Sequence, residues 1–262
     1  MDFLDSAKTF AKGIFGKHYQ VLIRLFSPVM PRIHWATMEP YTDYLIRLKW
    51  QGKGTVLNLG SGNHRINKTI INIDARPFDE VDIIADAARL PYQDDAIDGV
   101  INIALLEHAV DPEAILREAY RVLKPGGTIL SGAPFIQGFH GSPNDFYRWT
   151  APGLEKLHSK CGFKQIESFP VAGPASGFAW VLQEFLAIAL SFGLRPLYYF
   201  WWFLFCVLMT PLKLLDIVLI EFPQAEVISS FNVVVAVKCA DSSHQPPDIS
   251  PSPTTRDLLP PG

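Results

Sequence analysis

The sequence predicts an α/β fold built on an open, mostly parallel β-sheet, because three short apolar runs each end in residues suited to ligand binding. Residues 55–59 lead into a Gly-Ser-Gly turn, residues 70–73 lead into Asp74, and residues 81–85 lead into Asp86. The carboxyl ends of parallel strands meet at one edge of a sheet, where open α/β folds bind their ligands. Glycine lets a backbone approach a ligand closely, and carboxylates accept hydrogen bonds from hydroxyls and amines. This stretch is therefore expected to bind a nucleoside-containing small molecule.

Length, charge and cysteine content narrow the class of protein. With 262 residues the chain is long enough for one domain with a full core, or for one domain with an insertion. Its net charge of −3 gives no sign of nucleic-acid binding. Cys161, Cys206 and Cys239 fit neither a disulfide framework nor a zinc site, so no metal is expected and a reducing cytoplasm is the simpler interpretation. Asp2 and Asp5 at the amino terminus do not resemble a secretory signal.

Helix and strand signals continue the alternation through the rest of the core. Asp111 followed by Pro112 is typical of a helix start, with aspartate as the N-cap and proline at the first helical position. The Lys-Pro-Gly-Gly run at residues 124–127 is expected to end that helix and turn into a strand. The predicted elements are a helix over residues 39–50, strands over 99–103 and 128–133, a helix from Thr150 to Gly162, and strands over 163–169 and 231–237.

The links between the first three strands are short. The chain passes from Gly62 to Ile70, and from Asp74 to Val81, in fewer residues than the dozen or so that a parallel crossover with its helix usually takes. The first two helices are therefore expected to be reduced to turns or lost. One face of the sheet would then lack cover, and the apolar helices predicted within residues 1–50 are available to cover it.

Five motifs in this region stand in a recognisable order: LNLGSG, NID, ADAARLPYQDDAIDGV, LLEHAVDP and RVLKPGG. Their order and spacing resemble the class I S-adenosylmethionine-dependent methyltransferases, specifically the broad type 11 group that includes ubiquinone and menaquinone methyltransferases. The resemblance covers about residues 54–170. It implies a Rossmann-like α/β fold with a seven-stranded, mostly parallel sheet of strand order 3-2-1-4-5-7-6, and S-adenosyl-L-methionine (SAM) as the cofactor.

The resemblance also implies which residues contact SAM. The segment from Asn58 to Gly62 would wrap the methionine end, Asp74 would take the ribose hydroxyls, and Asp86 with the backbone of Ala87 would recognise the adenine amine. Each motif taken singly also fits an ordinary turn or a solvated strand end, and the ordered set favours cofactor binding. The expected cofactor-binding residues are Asn58, Leu59, Gly60, Ser61, Gly62, Asp74, Ala75, Asp86, Ala87, Ile103 and Ala104.

The nearest rival for this sheet edge is the dinucleotide site of a dehydrogenase. Its G-x-G-x-x-G fingerprint would need glycine at position 65, where this chain has Arg65. Asp86, the second carboxylate, has no role in that fingerprint. The chain also departs from the resembled family at Asn58, where the family often has aspartate or glutamate; the amide oxygen can still accept a hydrogen bond.

The run FIQGFHGSPNDFYRWT after the fifth strand is dense in polar and aromatic residues, and in the resembled family this loop borders the substrate. The expected substrate-binding residues are His140, Asn144, Asp145, Tyr147 and Arg148. His140 is the first candidate for a catalytic base and His108 the second, because imidazole titrates near neutral pH. Either histidine could instead bond to the local backbone. Arg148 could pair with an acceptor phosphate or carboxylate, or with Asp145.

About sixty residues separate the last two predicted strands, which methyltransferases of this class join by a short link. Residues 180–220 are nearly all apolar, and residues 197–212 carry no charge and many aromatics. Because the last strand must rejoin the same sheet, both ends of this insertion must lie on one side of a membrane. The pattern favours a monotopic helical hairpin over a single crossing. A soluble cap over the substrate pocket and a dimer interface are the alternatives.

The predicted organisation has five parts: a helical cover over residues 1–53, packed on the domain or on a membrane surface; a methyltransferase core over 54–171; the apolar insertion over 172–230; the last core strand over 231–240; and a disordered tail over 241–262. The predicted function is SAM-dependent methyl transfer to an amphiphilic or lipid-linked small molecule or glycan at the cytoplasmic side of a membrane. The alternative is a non-catalytic, membrane-associated binding protein that keeps the fold.

Overall fold

A computed structural model describes residues 33–34, 39–50, 54–141 and 143–239. The amphipathic stretch at the start of the predicted cover, near residues 3–14, lies outside the described residues. The predicted disordered tail over residues 241–262 lies outside them as well.

The core is a seven-stranded sheet. Its strands are β1 (Val56–Leu59), β2 (Ile70–Asp74), β3 (Ile83–Ile84), β4 (Ile97–Ile103), β5 (Leu123–Pro134), β6 (Lys164–Ala172) and β7 (Phe231–Val237). The order across the sheet is β3-β2-β1-β4-β5-β7-β6, which confirms the predicted order. Strands β1 to β5 pair in parallel, and β7 pairs antiparallel with both β5 and β6. The carboxyl ends of β1 to β6 therefore share one edge.

Three helices accompany the sheet: α1 (Tyr41–Trp50), α2 (Pro112–Val122) and α3 (Ala151–Lys160). The start of α2 is the predicted one, because an Asp111 carboxylate oxygen accepts a hydrogen bond from the Ala114 amide at 3.0 Å. Thr150 caps α3 in the same way through Gly153, at 3.1 Å. Residues 54–111 contain no helix, which confirms that the first crossover helices are lost.

Several element bounds differ from the sequence prediction. The helix expected from residue 39 begins at Tyr41, because Glu39–Pro40 pairs with Ile33–His34 in a short antiparallel ladder. The Lys-Pro-Gly-Gly run lies inside β5 instead of forming a separate turn. There, the Gly126 amide donates to the Lys238 carbonyl at 2.7 Å, and the Lys238 amide donates to the Gly127 carbonyl at 2.9 Å. Pairing with the chain beyond β7 thus extends β5 backwards.

Both faces of the sheet are covered by apolar side chains. On one face, α2 and α3 pack against β1, β4 and β5 through a large buried cluster. On the other face, Ile46 and Trp50 of α1 pack against Val56, Ile70 and Ile101. Helix α1 therefore covers part of the face left bare by the missing helices, as the short links predict.

The insertion between β6 and β7 is helical. It contains α4 (Pro174–Ser191), α5 (Arg195–Leu208), α6 (Thr210–Lys213), α7 (Asp216–Leu219) and a 3-10 helix (Pro223–Ile228). The Asp216 carboxylate accepts hydrogen bonds from the Ala175 and Ser176 amides, both at 2.8 Å, so the end of the insertion caps the start of α4. Within the described part of the chain, no single helix is long and apolar enough to span a bilayer. Among the described residues, α5 together with residues 210–219, at a bend of 46°, meets that length and composition.

Candidate active site

The glycine turn after β1 is held against the end of β2 by backbone hydrogen bonds. The amides of Gly60 and Ser61 both donate to the Ile73 carbonyl, at 2.8 and 3.2 Å. The Gly62 amide donates to a carboxylate oxygen of Asp74 at 2.9 Å. Gly60 has φ +67° and Gly62 has φ +54°, a region that side chains other than glycine rarely adopt. The turn and the first aspartate thus form one hydrogen-bonded unit.

The two glycines face different surroundings. A Cβ atom on Gly60 would lie 2.6 Å from Cδ1 of Leu105, so this glycine lets the loop after β4 pack closely against the turn. A Cβ atom on Gly62 would have no neighbour within 4 Å. The backbone at Gly62 is therefore open to a ligand, which is the property that a cofactor-binding turn needs.

The two strand-end aspartates retain capacity to accept hydrogen bonds. Asp74 is half-buried and accepts from the amides of Gly62 and Arg76, each at 2.9 Å. Asp86 is exposed and accepts from the Ala88 amide at 2.9 Å. Since a carboxylate offers about four acceptor positions, both can also bind a hydroxyl or an amine. The neighbouring Ala75 is exposed, whereas Ala87 is half-buried against the core.

The asparagine at position 58 is accounted for by Asn72, a partner that the sequence analysis did not identify. Its side-chain amide donates to the Asn72 side-chain oxygen at 3.1 Å, and both residues are buried. The amide group of Asn72 is committed to the carbonyls of His64 and Glu80, at 3.0 and 2.8 Å. Asn72 therefore presents its oxygen to position 58, where a carboxylate would place two acceptors face to face. The departure from the family pattern is matched by a local change and does not indicate a degenerate site.

Arg65, which stands where a dinucleotide fingerprint has glycine, closes the turn onto the segment before β3. Its Nε donates to a Glu80 carboxylate oxygen at 2.6 Å, and its Nη2 donates to an Asp82 carboxylate oxygen at 2.9 Å. The hydrogen bond from Arg65 lowers the pKa of Asp82 from its usual range. Where a crossover helix is missing, the ion pairs of Arg65 thus hold the glycine turn against the segment before β3.

Directly after β4, the chain makes a sharp turn at Ala104. Ala104 has φ +55°, a conformation that is uncommon outside glycine, and its amide donates to the Gly132 carbonyl at 2.9 Å. Ile103 is half-buried and packs against the cluster that contains α1. Both residues lie at the predicted edge, and their contact with SAM stays a prediction.

Arg148 forms the centre of the loop after β5. Its Nη1 and Nη2 donate to the two carboxylate oxygens of Asp145 at 2.5 and 2.6 Å. The Asp145 side chain is only 1% exposed, and although burial alone would raise its pKa, the hydrogen bonds from Arg148 and from the His140 amide lower it to about 2. Arg148 also donates to the carbonyls of Gln137 and Gly138. Of the two partners expected for Arg148, the structure shows Asp145.

The two candidate bases, His108 and His140, lie together. Their ring centroids are 5.4 Å apart in an edge-to-face arrangement. Between them lies Glu107, whose side chain is fully buried, with one oxygen 3.8 Å from Nε2 of each histidine. Burial lowers the pKa of His140, but Glu107, the Gly138 carbonyl and Asp145 outweigh it and raise that pKa overall. Sequence reasoning missed Glu107, although the LLEHAVDP motif contains it.

Backbone and aromatic contacts join the loops after β4 and β5. The Phe146 amide donates to the Glu107 carbonyl at 2.7 Å, and the Tyr147 hydroxyl donates to the Val110 carbonyl at 3.2 Å. The exposed Asn144 contributes its backbone carbonyl, which lies 2.6 Å from Nδ1 of His108. The predicted acceptor residues therefore lie in a loop that is joined to the loop after β4, at the carboxyl edge of the sheet.

This topology, with a glycine turn after β1, a carboxylate after β2 and an antiparallel β7 between β5 and β6, defines the Rossmann-like class I methyltransferase fold. A solved structure agrees: Haemonchus contortus phosphoethanolamine N-methyltransferase 2, in complex with phosphomonomethylethanolamine and S-adenosylhomocysteine, matches with a TM-score of 0.51 at 18% identity. The match covers 91% of this chain and 59% of that one.

Sequence comparisons identify the group. Residues 61–131 match the family model described as a methyltransferase domain. The ubiquinone/menaquinone biosynthesis C-methyltransferase of Ruegeria is 31% identical over 105 residues, which are 39% of this chain and 37% of that protein. The chloroplastic 2-methyl-6-phytyl-1,4-hydroquinone methyltransferase 1 of rice is 32% identical over 130 residues, which are 42% of this chain and 39% of that protein. Over this part of its length, the chain is thus similar to SAM-dependent methyltransferases and matches a methyltransferase domain.

The chain spans between 23% and 40% of the length of the first curated relatives that it matches. The family-model match, over residues 61–131, includes part of the glycine turn and the loop after β4.

Proposed function

We propose that the protein is a SAM-dependent methyltransferase whose acceptor is an amphiphilic or lipid-linked molecule presented at a membrane surface. The observation that supports it is the joint placement of three features on one sheet edge: the glycine turn with its two aspartates, the His108–His140 pair, and the start of the apolar insertion after β6. Cofactor, acceptor groups and apolar surface would then meet at a single site.

The described residues at this sheet edge fit SAM. Gly62 leaves open backbone for the methionine end, Asp74 has free acceptor positions for the ribose hydroxyls, and Asp86 has them for the adenine amine. When bound, SAM supplies an electrophilic methyl group on a positively charged sulfur and leaves as S-adenosylhomocysteine. The main task of the chain in such a displacement is alignment of the acceptor with that methyl group.

The loop after β5 would orient the acceptor. Arg148 and Asp145 neutralise each other and hold the loop, so they act as positioning residues. His140 and His108 each direct a ring nitrogen towards the interior of the site, where a base is needed if the acceptor is a hydroxyl that must lose its proton. An acceptor carbon or amine would need only the alignment.

Exposed apolar surface on the insertion supports a membrane-bound acceptor. Soluble monomers rarely expose large contiguous apolar patches, and such patches mark protein or membrane contacts. The aromatic and branched side chains of the insertion that are more than half exposed include Phe185, Ile188, Phe192, Phe200, Phe203 and Ile217. The Trp180 ring of α4 lies 5.8 Å from the His140 ring, so the insertion also borders the acceptor loop. We place the protein at the cytoplasmic face of a membrane, as a peripheral or monotopic protein.

Calorimetric titration with SAM tests the cofactor half of the proposal. We expect stoichiometric binding that Asp74→Asn weakens, because an amide cannot accept at both of its polar atoms. Binding of NAD in place of SAM would favour the dehydrogenase, and binding of neither would favour a non-catalytic protein. A mass increase of one methyl group on a species in a lipid or glycan extract, incubated with enzyme and SAM, would identify the acceptor.

Sedimentation with phosphatidylcholine vesicles tests the membrane half. Phe200 and Phe203 of α5 are 58% and 61% exposed, so a Phe200→Asp, Phe203→Asp variant should keep its fold and bind vesicles at least about 100-fold more weakly. Val110→Asp, at a site 77% exposed beside the core, is the matched control and should bind as the wild type does. Equal vesicle binding by all three proteins, or none by the wild type, would refute membrane association.

A further inference from the structure

We propose that Glu107, His108 and His140 form a binding site for one divalent transition-metal ion. One ligand atom from each of the three side chains lies within 4.8 Å of the other two. The residues come from the loops after β4 and β5, two neighbouring parallel strands, so the site lies on the same sheet edge as the glycine turn. It uses none of the three cysteines that guided the sequence-based expectation of no metal.

The carboxylate of Glu107 is the first support for this site. Glu107 is 0% exposed, and neither of its oxygens has a hydrogen-bond partner among the described residues. Its two histidine contacts, at 3.8 Å each, are too long to be hydrogen bonds. A buried carboxylate without partners is costly, and buried charges are normally paired or bound to metals. Glu107 therefore calls for a cation at the position that its oxygens share with the two imidazoles.

The orientation of the histidines is the second support. Nδ1 of His108 lies 2.6 Å from the Asn144 carbonyl, and Nδ1 of His140 lies 3.0 Å from the Gly138 carbonyl. A carbonyl only accepts, so each Nδ1 carries the proton and each Nε2 keeps its lone pair. Arg148 Nη2 also lies 3.4 Å from Nδ1 of His140, a longer contact than the one with the carbonyl. Histidine ligands of metals typically donate their other ring N–H to such carbonyls.

The ligand set indicates the class of ion. Two imidazole nitrogens and one carboxylate oxygen suit Zn²⁺, Mn²⁺ or Fe²⁺ better than Ca²⁺ or Mg²⁺, which prefer oxygen ligands throughout. With metal–ligand distances of about 2.1 Å, tetrahedral neighbours lie about 3.4 Å apart, so the 3.8 Å pairs need only a small contraction. Three protein ligands also leave at least one coordination position open.

With an ion bound, both Nε2 atoms would be ligands, so the ion would act in place of the histidine base considered above, and its open position gives it a role. It would take an oxygen atom of the acceptor, such as a hydroxyl, phenol or phosphate, and hold it beside the cofactor. This role rests on the proposed methyltransferase function, whereas metal binding itself does not. The competing interpretation is a metal-free pair in which Glu107 and a protonated histidine balance each other, and the two interpretations predict different binding behaviour.

Metal titration of the full chain distinguishes them. After dialysis against a chelator, we expect calorimetry to show one equivalent of Zn²⁺ bound. Co²⁺, used as a spectroscopic probe, should give visible d–d absorption. Glu107→Gln and His140→Ala should each weaken Zn²⁺ binding by about 100-fold or more and remove the Co²⁺ bands. His64→Ala removes an exposed histidine outside the cluster and should leave both signals unchanged.

Thermal unfolding keeps the test independent of folding defects. Without metal, Glu107→Gln should be at least as stable as the wild type, because it removes a buried unpaired acid, and Zn²⁺ should raise the unfolding midpoint of the wild type alone. The proposal would be overturned if Glu107→Gln or His140→Ala still bound one equivalent of Zn²⁺, or if the wild type bound none. SAM titrations run in chelator report separately on the proposed function: SAM binding without Zn²⁺ binding would remove only the metal site.

Discussion

Substituting alanine at each of the two glycines after β1 separates their roles. Both adopt positive φ, at +67° for Gly60 and +54° for Gly62, so both substitutions force an L-residue into the left-handed region. Only Gly60 is packed: a Cβ there would meet Leu105 Cδ1 at 2.6 Å, and its Cβ and Cγ at 3.1 Å. Because three atoms of Leu105 are close, rotation of its terminal methyl groups would not relieve the clash.

The expected destabilisation follows from these contacts. The left-handed conformation costs an alanine about 1–2 kcal/mol, which is the whole effect expected for Gly62→Ala. Overpacking adds about 1–3 kcal/mol, so Gly60→Ala should lower the free energy of unfolding by about 2–5 kcal/mol in total. For SAM affinity the order should reverse, because the new methyl group at Gly62 enters the open space that faces the ligand.

Equilibrium urea unfolding and calorimetric SAM titration of the two variants measure these effects. We expect Gly60→Ala to lose more free energy of unfolding than Gly62→Ala does. We expect Gly62→Ala to lose more SAM affinity than Gly60→Ala does. The reasoning is refuted if the two variants are equally destabilised, or if Gly62→Ala binds SAM as tightly as the wild type does.

Three further predictions concern other parts of the molecule. His158 is fully buried, and burial lowers its pKa to about 4. The unfolded chain therefore binds a proton at this histidine below about pH 6.5, whereas the folded protein binds it only near pH 4. Stability should therefore fall by about 3 kcal/mol as the pH drops from 7 to 4, and urea midpoints of His158→Gln should show a weaker pH dependence. Asp216→Ala leaves two buried amides of α4 without an acceptor and should cost about 2–4 kcal/mol in urea unfolding; a loss below 0.5 kcal/mol would contradict the cap. Arg148→Lys loses the two-pronged contact with Asp145 and should raise the acceptor KM by about tenfold, with unchanged SAM affinity by calorimetry; a matching loss of SAM affinity would contradict the separation of the two subsites.

Element positions that depend on local chemistry could be predicted closely. The Asp111-Pro112 start of α2, the Thr150 cap of α3 and the bounds of β7 agree with the sequence prediction. Each depends on residues within a few positions of each other, or on a continuous apolar run. The continuation of β5 back to Leu123 could not be predicted, because it depends on pairing of Leu123 with Ile97 and of Gly126 and Gly127 with Lys238, all of them far apart in the chain.

The insertion illustrates the same limit. Its apolar composition predicted helices, which the structure shows, whereas contact with a membrane stays a prediction. In the sequence, Asp216 is a polar residue at the end of the apolar stretch. In the structure it is buried against the start of α4. A carboxylate that caps a helix some forty residues earlier leaves no local signal.

The sequence by itself determined the α/β class, the strand order through its family resemblance, and the cofactor edge with its glycine turn and two aspartates. These features follow from short motifs at the ends of strands, whose spacing alone places them together in a parallel sheet. Only the tertiary structure decided why position 58 is asparagine, which partner Arg148 takes, and that Glu107 lies buried between two histidines without a hydrogen bond. Those outcomes depend on contacts between residues that are far apart in the chain, or on the burial of one carboxylate, and neither can be read from periodicity or spacing.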